Sequence, residues 1–150
     1  MEKFEELFAQ YNCCQKDEEV KAATAEILKE HFDENNNVEV WKQCLHQIDL
    51  TTLNGDDTTA KVAGMAQKVN EFGKHFPSVP NVAAMCVYPA LVETAANTLT
   101  EPIGLAAVAA GFPASQTFIE VKVAEAAMAV AAGATEIDIV ISIGKFLEGK

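Results

Sequence analysis

Positive charge is scarce in this chain. Eleven basic side chains stand against 22 acidic ones, a formal net charge of −11 over 150 residues, with the acids concentrated before position 60. That balance excludes a binder of nucleic-acid phosphates and implies an acidic, well-solvated surface. Long apolar runs are missing too: none reaches the roughly 18 to 20 residues that span a bilayer. The opening "MEKFEELFAQ" is threaded with acids and has no apolar centre, so it reads as neither secretory signal nor anchor, and no membrane partner is expected. Cys13, Cys14, Cys44 and Cys86 show no CxxC spacing and no metal-ligand pattern. Reduced thiols in the cytoplasm are the expectation, with no structural disulfide and no metal. His31, His46 and His75 have no nucleophile beside them in the sequence and read as surface or capping residues.

An apolar content of 49% with mean hydropathy near zero fits one modest globular domain with a real core. Two textures divide it. Residues 1–46 read as a helical extension: Phe4, Leu7, Phe8 and Tyr11 recur at helical spacing, and Val20, Ile27 and Leu28 share a side of a second segment that Asp17 can cap. "DENNN" interrupts, and Val38, Trp41, Leu45 and Ile48 begin a third helix. The vicinal Cys13 and Cys14 read as small apolar residues near a helix end rather than as a redox pair.

Residues 47–150 alternate strand and helix. "QIDLTTLN", "NVAAMCVYP", "IGLAAVAAGFP" and "TEIDIVISIG" are the strands, and Thr117 with Glu120 has capping-box spacing for the helix before the last of them. Nearly continuous apolar strands separated by helices predict a parallel sheet sheltered by helices. Such α/β architectures keep their chemistry at the carboxyl ends of the strands. Asp138, inside "EIDIVISI", and Asp49, inside "QIDLTT", are the informative pair within the strands. A carboxylate within an apolar strand costs several kcal/mol unless it is paired and hydrogen-bonded, so each is expected to be either functional or held in a structural ion pair or cap.

"DLTTLN" with Asp56-Asp57-Thr58, then "CVYP", then "GFP", then "KVAEAAMAVAAGATEIDIVISIG" resembles, in order and spacing, the first half of the deoxyribose-phosphate aldolases. The resemblance runs from about residue 46 to 149 and implies the first four strands of a (β/α)8 barrel. It implies an enzyme that reversibly cleaves 2-deoxy-D-ribose 5-phosphate to glyceraldehyde 3-phosphate and acetaldehyde, through a lysine Schiff base and with no metal or other cofactor. By the same resemblance, Asp138 and Asp49 are the catalytic carboxylates. Asp138 would serve a water-assisted proton relay and Asp49 would organise the site, while Cys86, Thr51, Leu53 and Phe112 line the substrate pocket. A homo-oligomer acting in deoxyribonucleotide and carbohydrate catabolism is further implied.

Departures from the pattern are as informative as matches. Where the family often carries glycine two residues after "GFP", this chain has Ala114-Ser115; Ser142 stands where asparagine is common. The resemblance assigns the Schiff-base lysine to a sixth strand and its partner lysine to a seventh, so the 150 residues read as truncated before both and are expected to be inactive alone. Lys145, pictured in a loop after the fourth strand, is a poor substitute, because solvent gives it none of the desolvation that lowers an amine's pKa. A non-catalytic half-barrel that associates with itself or with a second half is the alternative, and another phosphosugar barrel enzyme a third.

Overall fold

The computed structural model describes residues 2–11 and 15–149, so Cys13 and Cys14 lie outside the described residues. The chain separates into two compact units, one ending at Trp41 and the other running over Lys42–Glu148. The first contains α1 (Glu2–Phe8), α2 (Asp17–Asn35) and the start of α3 (Val38–His46). Asp17, Glu18 and Glu19 occupy the first turn of α2, where negative charge complements the unpaired N–H groups. Asp17 is not the cap: the N-cap position is Lys16, whose backbone N–H donates to the Glu19 carboxylate at 3.1 Å.

The asparagines explain the break between α2 and α3. Asn35 and Asn37 donate side-chain N–H groups to the carbonyls of His31 and Glu34, each at 2.8 Å, closing the last turn of α2. Asn37 Oδ1 then accepts from the N–H groups of Glu39 and Val40, each at 3.1 Å, and opens α3. α3 stops at His46, two residues short of the expected Ile48.

In the second unit β1 (Asp49–Thr51), α4 (Thr59–His75), β2 (Ala84–Val87), α5 (Val92–Thr98), β3 (Gly104–Ala109), α6 (Ile119–Ala131), β4 (Glu136–Ile139) and α7 (Ile143–Leu147) follow in turn. The four strands form one parallel sheet in the order β1-β2-β3-β4. Side chains alternate across a strand, and one face of this sheet carries the core. Met85, Val87, Leu105 and Ala107 meet Val62, Ala66 and Val69 of α4, Val92 and Ala95 of α5 and Ala129 of α6. Each fully buried valine or methionine there contributes about 1.5–3 kcal/mol. The central strands β2 and β3 are buried nearly throughout, whereas β1 and β4, each with one neighbour, are largely exposed.

Two expected local features differ. α6 starts after Phe118, which has extended backbone and makes no side-chain cap, so Thr117 and Glu120 do not form the predicted capping box. The fourth strand ends at Ile139 instead of running to Gly144, and Lys145 sits on α7, paired with Glu148 at 3.6 Å. The cause is the partner strand. β3 ends at Ala109, and the chain turns away through Ala110 and Gly111, whose φ values are +65° and +72°, leaving residues 140–142 nothing to pair with.

Candidate active site

Register and alternation decide what faces away from the helices. Thr51 pairs with Cys86, Cys86 with Ala106, Ala106 with Glu136 and Val108 with Asp138, while Asp49 pairs with Ala84. Asp49, Thr51, Cys86, Ala106, Val108, Glu136 and Asp138 therefore share the face opposite the helical core. Cys86, Ala106 and Val108 are its buried floor, against which Leu53, Tyr88 and Phe112 pack. Tyr88 and Phe112 meet edge-on with ring centroids 6.4 Å apart. All six residues singled out in the sequence thus gather on one side of one sheet.

Their environment is not the one the sequence suggests. Asp49 and Asp138 are exposed, and among the described residues neither has a salt bridge, since the helices of the second unit pack on the other face. The burial penalty that made them conspicuous in an apolar strand does not arise in this structure. Their collective charge is nonetheless felt at the centre. Cys86 is 3% exposed, and burial, followed by the charges of Asp138, Asp49 and Glu136, pushes its thiol above the usual range against a lowering hydrogen bond from Thr51. At neutral pH Cys86 is a neutral thiol.

Sequence reasoning passed over three residues. Glu136 lies two positions before Asp138 on the same face, and its carboxylate folds over Gly104, where a Cβ would collide with it. The two-residue spacing within "EIDIV" was the available signal. Asp57, quoted only as part of a motif, has a side chain just 1% exposed. It accepts hydrogen bonds from the Thr52 hydroxyl at 2.8 Å and the Asn54 N–H at 3.0 Å, and it pairs with the Lys61 ammonium. This knot ties the loop after β1 to the first turn of α4, whose N-cap Thr58 accepts from Lys61 N–H at 3.2 Å. Lys122 is the third. It is buried at the start of an apolar helix and, among the described residues, hydrogen-bonds to oxygens of serine alone.

Lys61, then Thr52 and Asn54, hold Asp57 at about 2 against an ordinary 3.8, despite the opposing effect of burial. A folded-state pKa below the unfolded one contributes stability that is complete above 3.8 and lost as pH falls through about 2. The urea midpoint should therefore fall across that window. In Asp57→Asn the midpoint should be lower at pH 7 and should fall less on acidification. Equal pH dependence in the two proteins would remove the linkage to Asp57.

Comparison with known proteins places this arrangement. Residues 44–146 match the family model described as DeoC/LacD family aldolase. A human deoxyribose-phosphate aldolase is 40% identical over 115 residues, covering 69% of this chain and 36% of the relative. A Caenorhabditis elegans protein provisionally named as the same enzyme is 36% identical over 134 residues, 87% of this chain and 44% of its own length. The crystal structure of a provisionally named deoxyribose-phosphate aldolase from Coccidioides immitis superimposes with a TM-score of 0.63 at 26% identity, over 73% of this chain and 40% of that one. The chain thus spans less than half the length of each of these relatives.

Proposed function

The chain belongs to the DeoC/LacD aldolase family, and from that membership we propose that it forms part of a deoxyribose-phosphate aldolase, contributing the acidic wall and the thiol floor of the active site. The observation that carries this reading is the gathering of Asp49, Cys86, Glu136 and Asp138 on the open face of a parallel sheet. Cleavage of 2-deoxy-D-ribose 5-phosphate requires an amine to condense with the aldehyde carbon. The hydroxyl on C3 then loses its proton, and the C2–C3 bond electrons flow into the iminium, forming an enamine and releasing glyceraldehyde 3-phosphate. Protonation of the enamine and hydrolysis return acetaldehyde and the amine.

In that sequence Asp138, at the carboxyl end of β4, is the group that moves the proton, through water. Asp49 and Glu136 keep the face negative and so favour the cationic iminium. Cys86, neutral at physiological pH, with Leu53 and Phe112 offers an uncharged surface to the two-carbon fragment, and Thr51 steadies the thiol. The lysine is supplied by strands other than these four. Neither lysine near the carboxyl ends is suited to forming the Schiff base, since Lys145 is exposed and Lys122 is engaged with three oxygens.

Borohydride treatment in acetaldehyde is the direct test. The 150-residue chain should show no retro-aldol activity and no specific ethyl adduct by mass, whereas a longer protein carrying this sequence should show both. A stoichiometric adduct on Lys145 or Lys122 of the short chain would falsify the division of labour. A non-catalytic associating module is the second reading, favoured by the exposed edges of β1 and β4; it predicts no activity in the longer protein either.

A further inference from the structure

Elementary electrostatics makes Lys122 an improbable residue where it stands. It occupies the first turn of α6, where the unpaired N–H groups disfavour a cation, and it is 8% exposed. No carboxylate pairs with it among the described residues. Its three donors go instead to the Ser115 carbonyl at 2.8 Å, the Ser115 hydroxyl at 2.6 Å and the Ser142 hydroxyl at 2.6 Å. The Ser115 hydroxyl donates onward to the Val140 carbonyl at 3.2 Å. One turn along α6, Glu125 accepts the Gly111 N–H at 2.9 Å.

These bonds grip a loop that does not rest in a relaxed conformation. Ala110 and Ser115 have φ values of +65° and +55°, in the left-handed region that non-glycine residues enter at a cost. A loop so bent keeps its shape only when its surroundings hold it. α6 holds it at both ends, through Glu125 at Gly111 and Lys122 at Ser115. Phe112, which packs on Cys86, lies between those two points, and Asp138 is two residues before Val140. The two serines that depart from the family pattern therefore meet at one ammonium.

We propose that Lys122 is a positioning residue: its ammonium fastens the loop after β3 to the end of β4, and so sets Phe112 and Asp138 around Cys86. Its catalytic consequence rests on the aldolase reading, but its structural consequence does not.

Cys86 reports on the placement in the chain as it stands. Alkylation should be followed on the Cys86 peptide by mass spectrometry, because Cys44 is exposed and reacts independently. In folded Lys122→Met, Cys86 should react about 10-fold faster at neutral pH, and the midpoint of its pH–rate profile should move down as the Asp138 charge withdraws. Lys122→Arg should restore both. An unchanged rate, or a faster rate with an unmoved midpoint, overturns the proposal, since loosening alone gives the latter. Should Lys122→Met fail to fold, Ser142→Ala removes one acceptor and must move rate and midpoint in the same direction. In the longer protein, Lys122→Met should lower kcat about 10- to 100-fold with little change in KM. If that protein's wild type cleaves no deoxyribose phosphate, the aldolase reading fails while the Cys86 measurement still decides the role of Lys122.

Discussion

Asp138→Leu in a complete aldolase carrying this sequence is expected to lower turnover by about 10²- to 10⁴-fold, the range for losing a positioned proton-transfer group, and in the 150-residue chain to leave folding intact. Both parts follow from where the side chain sits. Asp138 is at the carboxyl end of β4, on the acidic face, with its carboxylate exposed and free of salt bridges among the described residues. In the 150-residue chain its removal therefore leaves no buried partner unsatisfied, and there the variant should unfold at the same urea concentration as the wild type. Asp138→Asn, which keeps the shape and loses the charge, should lose as much turnover. Near-normal activity in either variant removes Asp138 from proton transfer, and a large shift in the unfolding midpoint would make it a structural residue.

The isolated 150-residue chain should self-associate at micromolar concentration. β1 and β4 each lack a second neighbour, and Ile139 and Ile141, at and beyond the β4 edge, are 65% and 60% exposed. Unpaired strand edges with apolar side chains recruit other strands. The geometry also restricts how copies meet. Stacking the open faces would bring Asp49, Glu136 and Asp138 of one copy against those of another, so pairing along the edges is favoured. Salt should strengthen association by screening the repulsion between chains of charge −11. Sedimentation across a salt series, with an environment-sensitive dye to report exposed apolar surface, measures both effects. A compact monomer that excludes the dye at every salt concentration would end this account of the edges.

How much of the molecule is legible in its sequence depends on the range of the interaction that decides each feature. The order of strands and helices is a matter of local pattern. The helical spacing of Val62, Met65, Val69 and Phe72 marks a side of α4 on which Val62 and Val69 are buried and Met65 and Phe72 half-buried, and "AMCV" and "GLAAVA" are apolar enough to be central strands. Asp49, Cys86 and Asp138 are legible as a group because alternation puts them on one face once the strands are parallel. Their exposure is not legible, since it depends on which strands flank them and not on their own sequence. The end of β4 is set by the turn of β3 at Ala110 and Gly111 some thirty residues earlier. A left-handed Ser115 is hidden for a similar reason: the glycine that normally signals such a turn is absent, and the support comes from Lys122 on the next helix.

The sheet order β1-β2-β3-β4 also bears on how the chain acquires its structure. Among these four, each strand pairs only with the strands made immediately before and after it, as in Asp49 with Ala84 and Ala84 with Gly104. Domains tend to form from the amino-terminal end during synthesis. Every new βα unit emerging from the ribosome thus finds its docking partner already in place. The acidic face stays open throughout that growth, kept in water by its own charge while the helical side closes.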